Sequence, residues 1–186
     1  MKKLIVIKNI GLLTRGFRGY FLVREILDRK DLKIQFVCQT KGITYHFLKN
    51  IVCNKNIPYF KIENNINSLD NINLIKSFNC DLLISCGYDQ IFKKELIDLK
   101  IINCHSSELP KYRGRNVLKR ALFNNEKYFG ITVHWVDEGI DTGSIIIQKL
   151  YPIVKRNYRT LLNIVRKQSV YIILEAIDKL NEKVNS

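Results

Sequence analysis

Acidic side chains are scarce in this chain of 186 residues: 17 Asp and Glu stand against 31 Lys and Arg, a formal net charge of +14. That balance favours anionic ligands or surfaces, such as phosphates, polycarboxylates, nucleic acid or acidic lipid. No block of like charges forms a tail, and no basic-aromatic stripe suits single-stranded nucleic acid, so most of the charge reads as a solvated surface. Proline is limited to 3 residues, and low-complexity tracts and internal repeats are missing, which excludes a linker and leaves one domain over residues 1–186. Long apolar runs are also missing. None reaches the roughly 18–20 residues that a membrane span requires. The start, Met1 to Ile7, has a superficial signal-peptide look, but Lys8 and Asn9 interrupt it and no small-residue cleavage site follows. It is read as a buried first strand over 3–8.

The 5 cysteines are odd in number and scattered, with no CxxC or Cys/His ligand spacing, which excludes a structural zinc. Cys38, Cys86 and Cys104 fall inside apolar runs, where a free thiol behaves as a small hydrophobe. A reduced, cytoplasmic protein is expected.

Short apolar runs alternate with helical patterns. Strands are predicted over 3–8, 33–38, 58–62, 81–86 and 100–104, and helices over 18–29, 43–53, 68–78 and 93–99. A helix at 116–124, strands at 130–137 and 144–152, and an amphipathic helix at 158–181 complete the chain; Leu161, Ile164, Val165 and Leu174 form the last helix's apolar stripe. Strands that are apolar on both faces and separated by helices predict an α/β fold: a single-domain, mostly parallel open sheet with helices on both faces and a late hairpin-like pair. Such sheets bind ligands at the carboxyl ends of their strands.

At one such end, Ile101-Ile102-Asn103-Cys104-His105-Ser106-Ser107-Glu108-Leu109-Pro110 turns abruptly from apolar to polar. Side chains alternate along a strand, so Asn103 and His105 share a face. An amide donor beside an imidazole suits acyl transfer, which needs an oxyanion donor and a base near the nucleophile. Taken alone, the pair reads first as a structural His and a chain-turning Asn. Further on, Gly130-Ile131-Thr132-Val133-His134-Trp135-Val136 runs into the acidic loop Asp137-Glu138-Gly139-Ile140-Asp141-Thr142-Gly143. Gly139 and Gly143 supply flexible or left-handed backbone around Asp141, whose carboxylate is placed to orient an imidazole and raise its pKa. His134 faces the same pocket or is a buried structural His. Trp135 belongs to the core, and His46 is structural.

The segment 103–148 closely resembles the folate-dependent formyltransferases, which include glycinamide ribonucleotide, methionyl-tRNA and nucleotide-sugar formyltransferases. The family's Asn-x-His signature matches Asn103 and His105, and its Ser-x-Leu-Pro-x-x-x-Gly loop matches Ser107, Leu109, Pro110 and Gly114. Its Gly-x-Thr-x-His strand matches Gly130, Thr132 and His134, with the Asp seven residues later at Asp141 and a closing Gln148. The run 81–92 resembles the family's folate-pocket strand and loop.

The resemblance implies that Asn103, His105 and Asp141 are catalytic and that 10-formyltetrahydrofolate is the co-substrate. It would lie against Gln90, Ile91 and Phe92, Leu109 and Pro110, and Val136 and Ile140 of the 136–141 loop. Ser107, Arg113 and His134, with Arg15 and Arg18 after the first strand, are the candidates for holding the amine acceptor. The segment Lys8–Gly19 is neither a dinucleotide fingerprint nor a P-loop; Gly11 and Gly16 shape a turn there, and the two arginines grip phosphate or belong to an ordinary strand–helix connection. Among acceptors, the resemblance of 113–116 and 137–143 favours a nucleotide-linked amino-dideoxy sugar over glycinamide ribonucleotide. The initiator-tRNA enzymes carry a substantial further domain, which argues against nucleic acid as a partner. A small, phosphate-bearing amine is therefore expected, with no membrane partner, and a homodimer is compatible. An inactive anion- or nucleic-acid-binding α/β module is the alternative of another class.

Overall fold

A computed structural model describes residues 6–40 and 46–185. Seven strands form one sheet: β1 (Asn9–Thr14), β2 (Lys33–Thr40), β3 (Tyr59–Ile62), β4 (Leu82–Cys86), β5 (Ile101–His105), β6 (Tyr128–Trp135) and β7 (Ile145–Pro152). Their spatial order is β3-β2-β1-β4-β5-β6-β7. The first five run parallel, whereas β6 is antiparallel to β5 and β7 antiparallel to β6. The helices are α1 (Gly16–Leu27), α2 (His46–Cys53), α3 (Leu69–Ser77), α4 (Lys94–Ile97), α5 (Val117–Phe123) and α6 (Tyr158–Asn185).

Strand alternation divides the core between the two faces. Leu12, Ile84, Ile102, Cys104, Ile131 and Val133 pack beneath α1, α2, α5 and α6. Leu13, Phe36, Leu83 and Ile101 pack with Ile72 and Ile75 of α3 and Leu96 of α4 on the other face. At ~25 cal/mol per Å² of buried apolar surface, this double layer is the main favourable term in folding. The mostly parallel sheet covered on both sides is as predicted.

The first strand is not. Residues 3–5 lie outside the described residues; Val6 to Lys8 form no strand, and the strand begins at Asn9. The reason is packing. Ile10, Leu12, Leu13 and Thr14 are fully buried between β2 and β4, and a Cβ on Gly11 would lie 2.5 Å from the Phe36 ring and 2.6 Å from Leu83. Gly11 therefore admits a phenylalanine across the sheet rather than shaping a turn. The turn falls at Gly16 (φ +67), and α1 begins there, two residues earlier than predicted. Of the helix predicted over 43–53, residues 43–45 lie outside the described residues; from His46 onwards it is present, and His46 is exposed rather than packed.

In chain order the strands move outward from β1 to β3 and return beside β1 with β4. This switch point, and the carboxyl ends of β4 and β5 next to it, open the crevice where such sheets take ligands.

Candidate active site

On β5, Ile102 and Cys104 point into the α1/α6 layer, so Ile101, Asn103 and His105 project from the opposite face. On β4 the same alternation puts Ser85 on that face with Leu83, and the parallel register sets Ser85 beside Asn103. The antiparallel register of β6 brings His134 opposite Asn103 and Thr132 opposite His105. Three strands thus deliver five polar side chains to one edge.

The Ser85 hydroxyl donates to Asn103 Oδ1 at 2.9 Å, which turns the amide's NH2 towards His134 and Asp141. That nitrogen lies 3.2 Å from His134 Nε2 and donates to Asp141 Oδ1 at 3.3 Å. His134 Nδ1 lies 2.8 Å from the Trp135 carbonyl, and its Nε2 stands 3.2 Å from the Asn103 nitrogen and 3.5 Å from Asp141 Oδ1. The other carboxylate oxygen, Asp141 Oδ2, lies 3.3 Å from His105 Nδ1 and accepts the Gly114 N–H at 2.9 Å. His105 Nε2 donates to the Tyr112 carbonyl at 2.9 Å. One carboxylate therefore joins Asn103, His105, His134 and the loop backbone.

Charge at this cluster is finely opposed. Burial lowers the pKa of His105 below its ordinary 6.5, with the nearby charges of His134 and Arg18 acting in the same direction. The Asp141 carboxylate and the Tyr112 carbonyl push it upward without overcoming burial. The expected rise is thus reversed, because desolvation of an imidazolium outweighs one carboxylate at 3.3 Å. For Asp141, burial raises the pKa, but the hydrogen bond with His134, the charge of His105 and the Gly114 N–H together bring it below the ordinary 3.8. The carboxylate is ionised at neutral pH.

Backbone conformation supports this arrangement. Asp141 itself, not Gly139 or Gly143, adopts the left-handed conformation, with φ +52. Asp tolerates that region better than most residues, and its side chain is anchored on both oxygens. Asp137 braces the loop by accepting from the Gly139 N–H and the Thr142 hydroxyl. The 106–114 loop is tied down by Thr132, whose hydroxyl donates to the Ser107 carbonyl at 2.6 Å, and by Gln148, which donates to the Leu109 carbonyl at 3.0 Å and to Thr132.

The remaining predicted residues separate by position. Phe92 and the partly buried Val136 pack in the same apolar cluster, which brings the 88–92 and 136–141 segments together. Ile91 and Ile140 stay 66% and 57% exposed, two open apolar side chains on those segments. Pro110 is exposed, whereas Leu109 is buried. The Gln90 side chain is engaged away from this edge, donating to the Ile62 carbonyl and accepting from the Ile66 N–H. Ser107 donates its hydroxyl to the Lys111 and Tyr112 carbonyls and is buried, so it shapes the loop. Arg15 pairs with Asp89 at 2.9 Å. Arg18 lies on the α1 side, against Gly87 and near the Cys86 and Cys104 thiols. Arg113 is exposed, and its carbonyl accepts from Arg120 at 2.8 Å.

Sequence reasoning missed Ser85, Tyr112 and Asp89. Ser85 had a signal, a lone hydroxyl inside the apolar run 82–86. Asp89, which also accepts from Thr40 and whose carbonyl accepts from Arg115 at 3.1 Å, had none.

The family model for formyl transferase matches residues 35–177, which include every member of this cluster. The chain belongs to the formyl transferase family. Members are folate-dependent N-formyltransferases that take the formyl group from 10-formyltetrahydrofolate. Curated relatives include the methionyl-tRNA formyltransferase of Methylacidiphilum infernorum, 42% identical over 103 residues, covering 54% of this chain and 32% of that protein. That of Endomicrobium trichonymphae is 36% identical over 137 residues, covering 68% and 42%. The chain spans less than half the length of these relatives. Among solved structures, the phosphoribosylglycinamide formyltransferase of Anaplasma phagocytophilum matches with a TM-score of 0.82 at 20% identity, covering 95% of this chain and 88% of that one. The Bacillus halodurans enzyme of the same name matches with a TM-score of 0.80 at 22% identity, covering 93% and 95%. At these identities the structural matches establish the fold.

Proposed function

We propose that this chain transfers the formyl group of 10-formyltetrahydrofolate to a primary amine on a phosphate-bearing acceptor, with Asn103, His105 and Asp141 at the reacting centre. The observation that supports this most directly is the single carboxylate of Asp141 meeting both the Asn103 amide and the His105 ring. In the reaction the amine nitrogen bonds to the formyl carbon, the bond from that carbon to the folate nitrogen breaks, and the proton lost by the amine ends on the folate nitrogen. Charge gathers on the formyl oxygen midway. The Asn103 NH2, which Ser85 orients towards Asp141 and His134 at the reacting centre, is the donor for it; one such donor is worth about 10²–10³ in turnover. His105 at low pKa is neutral at working pH and so able to accept a proton, and Asp141 stabilises the imidazolium that results.

The exposed Ile91, Ile140 and Pro110, with the backbone near Gln90, Phe92, Leu109 and Val136, supply the apolar surface and backbone donors and acceptors of this reading. That combination fits a flat heterocycle of the folate kind.

Within this reading, the acceptor is the amino group of a nucleotide-linked amino-dideoxy sugar, with Arg15 and Arg113 as its exposed cations at the rim. A second reading, methionyl-tRNA, draws support from the curated relatives of that name at 36–42% identity. To test both, the protein is incubated with 10-formyltetrahydrofolate and either nucleotide-linked amino sugars, glycinamide ribonucleotide or charged initiator tRNA, and tetrahydrofolate release is followed. Release with the sugars alone supports the first acceptor; release with the tRNA alone replaces it with the second. Release with glycinamide ribonucleotide alone rejects both. No release with any amine sinks the transferase reading.

A further inference from the structure

Tyr112 is held more tightly than a loop residue needs to be. Its backbone is left-handed, with φ +58. Its hydroxyl donates to Glu126 Oε1 at 2.7 Å and accepts from the Asn124 amide at 2.8 Å. Two cations lie over its ring, Lys111 Nζ 5.5 Å and Arg120 Cζ 5.1 Å from the centroid. Lys111 and Arg120 are secured in turn, the first by Glu126 at 2.7 Å and the second by the Arg113 carbonyl. The carbonyl of this anchored residue is engaged as well. It accepts from Ser107 Oγ at 3.1 Å and His105 Nε2 at 2.9 Å.

We propose that Tyr112 is a positioning residue for His105: its clamped carbonyl keeps the proton on Nε2, so that Nδ1, facing Asp141, is the nitrogen that exchanges protons during turnover. An imidazole is directed by the hydrogen bond its other nitrogen makes, and here that partner is a backbone carbonyl. The neutral ring then presents its Nδ1 lone pair towards the Asp141 carboxylate at 3.3 Å. That contact is unfavourable until Nδ1 gains a proton, when it becomes an ion pair. The carbonyl and the carboxylate together make protonation at Nδ1 productive and keep Nε2 from competing for it. The other charged groups acting on the ring are His134 on β6 and Arg18 on α1, both of which disfavour the imidazolium.

The role in turnover rests on the formyl-transfer reading; the tautomer does not. The first test is ¹⁵N NMR of the histidine rings over a pH series, with His105 assigned by the loss of its signals in His105→Gln. The wild-type ring is expected to show its neutral proton on Nε2. In Tyr112→Gly, which tolerates the positive φ, the two tautomers are expected to average, and the His105 midpoint to move to lower pH as the carbonyl's support weakens. Glu126→Ala, which removes the half-buried anchor, is expected to shift the same signals less and serves if the glycine variant does not fold. In both variants the acid limb of turnover moves with the ring's midpoint, and Tyr112→Gly loses about tenfold in kcat, as expected for one displaced hydrogen bond, with KM for 10-formyltetrahydrofolate within about twofold. A wild-type proton on Nδ1, or unchanged ring signals in every folded variant, overturns the proposal. The Nε2–H tautomer in a protein that releases no tetrahydrofolate with any acceptor sinks the functional reading and leaves this one standing.

Discussion

The Ser85 hydroxyl on β4 holds the Asn103 side-chain carbonyl on β5 at 2.9 Å, and this one bond decides which end of the amide faces the reacting centre. Without it the amide can rotate and present an acceptor where a donor is needed. Ser85→Ala is expected to lower kcat by about tenfold, in line with the loss of one buried hydrogen bond. Asn103→Ala, which removes the donor itself, costs about 10²–10³. Tetrahydrofolate release under single-turnover conditions measures both. A Ser85→Ala effect as large as that of Asn103→Ala would mean that the serine does more than orient the amide.

Asp141→Asn tests the proton path. Asn also accepts the left-handed conformation, so the loop is expected to keep its shape and the urea midpoint to fall only modestly. Turnover is expected to drop roughly 10²–10⁴, the span typical of general acid–base groups. His105→Ala should fall in the same range. Near-normal turnover in either variant removes the pair from the mechanism.

Stability should decline on acidification in two stages. The folded pKa of His105 lies below its unfolded value of 6.5, so the unfolded chain binds the proton first, and stability begins to fall as the pH drops below 6.5. Asp141 adds stability that is fully present above its unfolded value of 3.8 and is lost as the pH falls through its lower folded value. Urea unfolding between pH 8 and pH 3 gives the curve; His105→Gln is expected to abolish the upper stage and, by removing one of the charges that lower the Asp141 pKa, to shrink the lower one. The acid limb of turnover should likewise sit below 6.5, since burial holds His105 neutral above it. A limb above 6.5 would contradict the neutral-base assignment.

Gly130→Ala probes the seat of the 106–114 loop. A Cβ there would stand 2.4 Å from the Glu108 amide nitrogen and 2.8 Å from the Ser107 carbonyl carbon, both backbone atoms with little room to yield. We expect about 1–3 kcal/mol of destabilisation by overpacking, read from urea unfolding. A loss of turnover larger than that loss of stability would follow, because the displaced backbone carries the Tyr112 carbonyl and the Gly114 N–H. A variant as stable and as active as the wild type would show that the loop relaxes freely.

The alternating apolar runs of this sequence determined the sheet, its layers and nearly every helix, because burial on both faces leaves a periodic trace that local reading can follow. The same alternation placed Asn103 and His105 on one face, and the resemblance of 103–148 to the formyltransferases marked Asp141 as their partner. The first strand was misread for a tertiary reason: Gly11 looks like a turn until Phe36, from a neighbouring strand, fills the space above it. Only the folded chain could set Ser85 against Asn103, eighteen residues apart, or turn the Tyr112 carbonyl onto His105. The direction of the His105 shift was likewise decided in three dimensions. A sequence names the carboxylate that would raise an imidazole's pKa, but the depth of burial that outweighs it is set by every element packed around the ring.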